Sequence, residues 1–298
     1  MKERQKAIIH LHLAVFLFGF TGILGKLILL PALVLVWWRA LLSCIMMWPS
    51  FVKAGGIKSL SRAKIFTFLG IGGIVGIHWI CFYGSIKLSN SSIAMICLAF
   101  IPVFTAFFES LIRKKPLNRL DVLTGLMTIP AMWLIVQHID LNYRPGLLVG
   151  ILAALFSALF ASLNKKYILG ASPMQISWIE LFAVWLLLSL LLPVVYWSQP
   201  DWKFFPSGQD WFYLLLLSYF CTLVAYVLTL KSLHYLSAFS AMLAFNLEPV
   251  YGIILAIIVL NEHKEFNAYF YLGVFMLLSA VFVHPLLQKK LAGDTLNN

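Results

Sequence analysis

The chain has 298 residues, of which 62% are hydrophobic and 11% are charged, and its mean hydropathy is +0.93. A soluble domain cannot present that much apolar surface to water, so the composition excludes a soluble fold and predicts a protein embedded in the lipid bilayer. The net charge of +11 is compatible with a nucleic-acid partner or with cytoplasmic loops rich in lysine and arginine, and the positions of these residues distinguish the two.

Ten apolar stretches follow one another along the chain in two runs of five. A bilayer core of about 30 Å needs about 20 residues of helix per crossing. The stretches are Ile8 to Ile28, Leu33 to Val52, Ile65 to Ile86, Ile93 to Ile112, Leu120 to Val136, Leu147 to Tyr167, Ile176 to Trp197, Trp211 to Leu230, Ala238 to Leu260 and Phe266 to Leu287. The first lacks the small-residue cleavage site of a signal peptide, so we expect it to remain as the first crossing.

The segments between the stretches are too short to form a soluble nucleotide-binding or catalytic domain. The sequence contains neither a P-loop motif nor a nucleophile elbow. Its four cysteines all lie inside apolar stretches, and no pair has the spacing of a metal site. We therefore expect no disulfide, no bound metal and no cofactor.

The basic residues alternate between the two sides of the predicted topology. With the N-terminus inside, the cytoplasmic segments hold sixteen of the 22 lysines and arginines, the opposite side holds five, and Arg39 lies within a crossing. Because lysine and arginine gather in cytoplasmic loops, both termini are predicted to be cytoplasmic in a bacterial inner membrane. The charge is thus a topology signal, and no basic stretch interleaves with aromatic residues as nucleic-acid binding would require.

The second run of five stretches echoes the first. A shift of 147 positions superposes identical residues in the two halves, namely Ser85 on Ser232, Ala94 on Ala241, Met95 on Met242, Pro102 on Pro249 and Val103 on Val250. A repeat with an odd number of crossings inserts its second copy upside down, as many secondary transporters do. The sequence therefore predicts an all-α membrane protein of ten transmembrane helices, arranged as two inverted five-helix repeats at 1–142 and 143–298.

One sequence pattern resembles the EamA group of the drug/metabolite transporter superfamily. It consists of Asn-Leu-Glu-Pro-Val-Tyr at 246–251, Asn-Glu at 261–262 and Tyr-Leu-Gly at 271–273. The first half has a counterpart, Ile-Pro-Val-Phe at 101–104, that lacks the acidic residue, and it has Arg-Lys-Lys at 113–115 where the second half has Asn-Glu. The resemblance spans nearly the whole chain and implies two five-crossing repeats and a transport function, with export as the implied direction.

Glu248 is the leading candidate for solute contact. It lies about ten residues into its crossing, hence about 15 Å deep, where a carboxylate must bind a proton, pair with a base or face water. The first half has Ile101 and Ala99 in place of Glu248 and Asn246, so the fold itself does not require this polar pair. The alternative is a structural hydrogen bond to helix backbone.

Aromatic residues and one histidine are predicted to line a cavity together with Glu248 and Asn246. Their rings combine an apolar face with a polar atom, although such residues also mark lipid interfaces and packing. These candidates are His78, Trp79, Tyr83, Tyr226 and Trp38.

Four further residues are candidates for gating or for contact between the repeats. Pro102 and Pro249 are expected near the middles of their helices, where proline kinks the axis either for packing or as a hinge. Arg39 and Glu180 lie at opposite depths, so they could pair between the repeats or could each bind backbone carbonyls.

Two classes of function remain as alternatives at this stage. The first is a secondary transporter that moves a small polar or amphipathic metabolite, amino-acid-like or drug-like, by alternating access, with protons as a possible coupling ion. The second is a membrane-embedded enzyme acting on lipid-linked substrates, or a flippase-like partner protein. Clustered catalytic carboxylates or histidines would favour the enzyme, whereas the intramembrane polar residues here are scattered.

Overall fold

The structure is a computed structural model that describes residues 2–114, 130–131, 133–135, 137, 139–236, 241, 244–245, 247–276, 278–279 and 283. Within these residues all regular secondary structure is helical. The α-helices are α1 (Lys2–Gly19), α2 (Thr21–Leu27), α3 (Ala32–Lys53), α4 (Arg62–Leu88), α5 (Ser91–Leu98), α6 (Ile101–Arg113), α7 (Arg144–Tyr167), α8 (Pro173–Ser198), α9 (Gly208–Ser218), α10 (Ala225–Leu233) and α11 (Leu247–Leu260). A π-helix, Tyr219–Val224, joins α9 to α10.

Several helices begin at side chains that accept hydrogen bonds from the first turn. Asn90 accepts from the backbone N–H of Ile93 at the start of α5, and Ser172 with Gln175 forms a capping box at the start of α8. Such caps satisfy N–H groups that have no partner inside the helix. They fix the ends of the apolar helices, and these ends lie where the sequence places polar connections.

Seven helical segments in the described residues are long and apolar enough to cross a membrane. They are Glu3–Leu27, Ala32–Lys53, Arg62–Leu88, Ser91–Ile112, Leu141–Tyr167, Pro173–Ser198 and Gly208–Leu233. The shorter apolar helix α11 lies in the ninth predicted crossing. Most of the fifth predicted crossing and part of the tenth lie outside the described residues. The protein is therefore an all-helical, multi-pass membrane protein in the part that the structure describes.

The outer surface of these helices is apolar, as the bilayer requires. Large hydrophobic side chains point away from the helix bundle with more than half of their area exposed, among them Ile9, Phe66, Leu148, Leu190 and Val194. Lipid tails can solvate such side chains, whereas water cannot.

The connections between the helices lie at two opposite ends of the molecule, where polar contacts hold them together. At the first, which we call the Glu262 end, the backbone N–H of Leu29 donates to Asp210 over 2.8 Å, and Glu262 accepts from the backbone N–H groups of Ser91 and Ser92. The connections after α2, α4, α8 and α11 meet here. These contacts join residues that are up to 181 positions apart in the chain.

The second end, which we call the Lys165 end, holds the intervening connections. Lys165 Nζ donates to the carbonyl of Leu233 over 2.5 Å, Lys64 Nζ donates to the carbonyl of Gly170 over 2.9 Å, and Gln175 Nε2 donates to the carbonyl of Gly56 over 2.7 Å. Successive connections of the described chain thus alternate between two ends, as repeated membrane crossing requires.

The helix of the fourth crossing is broken immediately before Pro102. Helix α5 ends at Leu98 and α6 begins at Ile101, so Pro102 lies in the first turn of α6 and not in the interior of a continuous helix. A proline costs little there, because the N–H group that it lacks would have no helical partner. Pro249 likewise lies in the first turn of α11, Leu247–Leu260. The expected kink is therefore a helix break beside the proline in the fourth crossing.

Candidate functional site

A cavity lies between the helices at mid-depth. Its walls come from α1 to α7, α10 and α11, and its volume is about 60 Å³, room for roughly four water molecules at about 15 Å³ each. Aromatic and aliphatic side chains form most of the wall, and a few charged or polar groups point inward. The charged or polar lining residues are Thr21, Arg39, His78, Ser157, Asn164, Tyr226, Thr229 and Glu248.

Arg39 is the cation of this cavity. Its side chain is 1% exposed, and its guanidinium donates to three neutral oxygens: the Thr222 hydroxyl over 2.6 Å, the Tyr83 hydroxyl over 2.7 Å and the Cys221 carbonyl over 3.0 Å. The guanidinium carbon lies 3.8 Å above the ring of Trp79, a cation–π contact. These contacts fix the charge in one position on the wall.

The π-helix explains how a backbone carbonyl becomes available to Arg39. A π-turn interrupts the regular α-helical hydrogen bonds, and such turns are frequent at functional sites. Within it, the Thr222 hydroxyl donates to the Leu217 carbonyl over 2.9 Å, which orients its oxygen to accept from Arg39. The Ser43 hydroxyl donates a hydrogen bond to the Ser218 carbonyl, so α3 contacts the π-helix and the residue before it through both Arg39 and Ser43.

Glu248 lies on the wall of the same cavity and is 6% exposed. No carboxylate of the described residues lies within 4.0 Å of the Arg39 guanidinium. In the part of the chain that the structure describes, no hydrogen bond to the Glu248 carboxyl is found. The cavity thus has one guanidinium and one carboxyl group on its wall, and these two groups do not form an ion pair.

Glu180 lies behind the cavity wall and is fully buried. Its Oε2 accepts hydrogen bonds from the Tyr226 hydroxyl and from Asn164 Nδ2, the latter over 3.2 Å. Both donors are cavity-lining residues. Arg39 and Glu180 belong to separate hydrogen-bond networks, and the described residues contain no ion pair between them.

His78 is fixed against α7. Its Nδ1 lies 2.8 Å from the Ala153 carbonyl and donates to it, because a carbonyl can only accept. The imidazole packs between Phe82 and Phe160, with ring centroids 6.3 and 5.5 Å away. The histidine therefore forms part of a rigid aromatic wall.

The structure brings together some of the residues proposed from sequence and separates others. His78, Trp79, Tyr226, Glu248 and Arg39 line the cavity, and Tyr83 lies directly behind Arg39. Trp38 does not line it: its indole N–H donates to the Phe204 carbonyl over 2.9 Å within an aromatic cluster near the Glu262 end. Asn246 lies outside the described residues.

Sequence reasoning missed three residues that complete the site and the role of one residue at the Glu262 end. Asn164 follows a run of small residues on α7 and has no sequence motif to mark it. Thr222 and Cys221 become partners of Arg39 only through the π-helix. Glu262 is part of the Asn-Glu pattern at 261–262, and this pattern is the one sequence signal that could have pointed to its contact with the start of α5.

Comparison with known proteins agrees with this architecture. Residues 5–137 and 144–284 match the EamA-like transporter family, and the chain therefore belongs to that family. It is 22% identical over 288 residues to Uncharacterized transporter YxxF of Bacillus subtilis (strain 168), a match that covers 94% of this chain and 89% of that protein. A crystal structure of a protein with 14% sequence identity has the same fold, with a TM-score of 0.71 over 95% of this chain and 98% of the other.

Proposed function

We propose that this member of the EamA-like transporter family is a secondary transporter that moves a small polar or amphipathic solute through the central cavity by alternating access. The observation that carries the proposal is that two ionisable side chains, Arg39 and Glu248, lie on the wall of one buried, mostly apolar cavity. Charges inside a membrane protein are costly and are retained mainly where they contact a solute, an ion or water.

The chemistry of the wall indicates what kind of solute would fit. An acidic or polar group can approach Arg39, a hydrogen-bond donor can approach Glu248, and an apolar part can pack on Trp79, Phe82 and Phe160. The present volume of about 60 Å³ is well below the roughly 300–1,000 Å³ of ordinary ligand pockets. In this proposal the structure represents a closed state that expands when solute enters.

Alternating access would arise from ten transmembrane helices in two inverted repeats, at 1–142 and 143–298. The match of the family to two successive segments supports this division, as does the alternation of connections between the Glu262 and Lys165 ends. Pro102 and Pro249, each in the first turn of a helix, are proposed as hinge positions.

The orientation that we propose follows from the charge distribution of the sequence, and the direction of transport follows from the family. We propose a bacterial inner membrane with both termini and the Lys165 end in the cytoplasm, because cytoplasmic loops are rich in lysine and arginine, and we propose export because the family resemblance implies it. Family membership favours this transport function over catalysis. The buried acidic residues Glu180, Asp210, Glu248 and Glu262 have different partners and do not form a catalytic cluster among the described residues.

A flux assay in proteoliposomes with a panel of amino acids and amphipathic drugs tests the proposal. We expect saturable movement of at least one solute, a loss of at least about tenfold in Arg39→Gln and Glu248→Gln, and no change in Asp201→Asn. Asp201 is an exposed carboxylate and serves as the matched control. A panel in which no solute moves in either direction, with protein shown to be folded, would refute transport.

A further inference from the structure

The carboxyl group of Glu180 has an asymmetric set of hydrogen bonds. Both of its donors, the Tyr226 hydroxyl and Asn164 Nδ2, bond to Oε2, whereas Oε1 is buried and has no hydrogen-bond partner. The side chain is 0% exposed. An ionised carboxylate spreads its charge over two equivalent oxygens, so leaving one of them bare in a buried site is unfavourable.

Two other buried carboxylates of this chain show what an ionised group looks like here. Asp210 accepts from the Leu29 N–H on one oxygen and from the N–H and hydroxyl of Ser207 on the other. Glu262 accepts from the Ser91 N–H on one oxygen and from the N–H and hydroxyl of Ser92 on the other. In both cases each oxygen is bonded and backbone N–H groups take part, an arrangement that favours the charged form. Glu180 has neither property.

Among the described residues, the hydrogen-bond partners of Glu180 supply no positive charge. Helix α10 presents the Tyr226 hydroxyl and α7 presents the Asn164 amide, while the backbone of Glu180 packs on Gly72 of α4. From α3, Cys44 is engaged through its carbonyl by Trp178, and Arg39 is bonded elsewhere, beyond 4.0 Å. No ion pair to Glu180 exists among the described residues.

A second unpartnered oxygen lies on the same cluster. Asn164 Oδ1 is buried and has no hydrogen-bond partner, although the amide nitrogen of the same group reaches Glu180. A protonated carboxyl is both a donor and an acceptor. It could therefore donate to the Asn164 oxygen, after rotation of the amide, or to the Tyr226 oxygen, and an ionised carboxylate can form neither of these hydrogen bonds.

We propose that Glu180, with Tyr226 and Asn164, is the proton-binding site of this transporter, and that it holds a proton in the closed state seen here. Uptake takes one proton from water that reaches the carboxyl when Tyr226 or Asn164 moves aside, and it forms one O–H bond on the carboxyl; release breaks that bond and returns the proton to water. No other bond changes. The assignment of this proton as a coupling ion rests on the proposed transport function, but the protonation itself does not.

Tyr226 and Asn164 connect this site to the solute. Both line the cavity and both bond to Glu180, so a solute that displaces either side chain also changes the environment of the carboxyl. Glu180 itself does not reach the cavity. The proton and the solute therefore occupy adjoining sites that share two side chains, the arrangement that coupling between two ligands requires.

Infrared spectroscopy of the full-length protein in lipid vesicles, without solute, tests the proposal. Protonated carboxyls absorb in a region separate from carboxylates. We expect the wild-type protein to show a protonated-carboxyl component that is lost in Glu180→Gln, shifted in Tyr226→Phe, and retained in Glu248→Gln. Glutamine keeps the size of the side chain and an acceptor oxygen, so it is the conservative replacement.

Several outcomes would overturn the proposal. One is an identical set of protonated-carboxyl components in wild type and Glu180→Gln throughout the pH range in which carboxyls and histidines titrate. Another is loss of the component on addition of sodium salt at constant pH, which would indicate a metal cation in place of the proton. If Glu180→Gln does not fold, an unshifted spectrum in Tyr226→Phe is decisive against it. Because the infrared experiment uses no solute, its result does not depend on whether the flux assay succeeds.

Discussion

Replacing Glu262 with glutamine should weaken the closure of the Glu262 end. The carboxylate is 2% exposed and accepts from the Ser91 N–H over 3.1 Å, the Ser92 N–H over 2.9 Å and the Ser92 hydroxyl over 2.6 Å. It therefore connects the loop after α11 to the first turn of α5. The partial positive charge at a helix N-terminus adds to this attraction.

The expected magnitude follows from these three bonds. A hydrogen bond to a charged group contributes about 1.5–3 kcal/mol, and in Glu262→Gln at least one oxygen acceptor becomes an NH2 donor. A loss of about 2 kcal/mol from the closed state would raise the opening equilibrium by about thirtyfold, since about 1.4 kcal/mol corresponds to a factor of ten. When opening breaks all three hydrogen bonds, the substitution destabilises only the closed state, so the whole free-energy loss appears in the opening equilibrium.

A reporter cysteine in the cavity measures this opening. Ser157 lines the cavity and is close in size to cysteine, so Ser157→Cys in a background without Cys44, Cys81, Cys97 and Cys221 provides a single reactive thiol. A membrane-impermeant reagent should label it about thirtyfold faster from the side of the Glu262 end in Glu262→Gln, with Asp201→Asn as control. Equal labelling rates in Glu262→Gln and the parent would refute the role assigned to this contact.

Two further substitutions test the packing and the charge of the site. Gly72→Ala should destabilise the protein by about 1–3 kcal/mol, because the new methyl would lie 2.7 Å from Ala183 Cβ. In the control Gly73→Ala the new methyl meets nothing within 4 Å, so this variant should be neutral or slightly stabilising in the same thermal unfolding assay. Equal shifts of the two unfolding temperatures would contradict the close packing at Gly72. Arg39→Lys keeps the charge, but one compact ammonium group cannot span the three acceptors that three separate guanidinium nitrogens reach, so solute flux should fall by at least about tenfold. Thr222→Val removes one of these acceptors and should lower flux less, and wild-type rates in Arg39→Lys would show that the fork geometry is unimportant.

Much of the architecture was accessible from the sequence because the bilayer imposes helix length. The long apolar stretches, the alternation of connections and the central position of Glu248 follow from hydropathy and depth alone. The family resemblance is confirmed by the match over both halves of the chain. The count of ten crossings and the inverted repeat remain predictions, since most of the fifth crossing and part of the tenth lie outside the described residues.

The partners of Arg39 could not be read from the sequence. A membrane helix is apolar on nearly all sides, so the periodicity that marks the inward face of a soluble helix is weak here. Arg39 bonds to Thr222, 183 positions away, through a π-helix that no composition signal announces. The same reason explains Trp38, whose aromatic character fits both a cavity wall and the cluster with Phe204 that the structure contains.

The two closures of the cavity differ in thickness, and this difference bears on the order of opening. At the Lys165 end, Asn164 and Leu233 line the cavity, and the Lys165 contact to the Leu233 carbonyl lies directly beside them. Toward the Glu262 end, Arg39 and its hydrogen-bond partner Tyr83 lie next to the cavity, and the Glu262 and Asp210 contacts lie farther from it. Among the described residues, a polar contact of the Lys165 end thus lies directly beside the cavity, whereas Arg39 and Tyr83 separate the cavity from the polar contacts of the Glu262 end. In an exporter with the proposed orientation, the thinner closure would face the cytoplasm, the side from which solute is loaded.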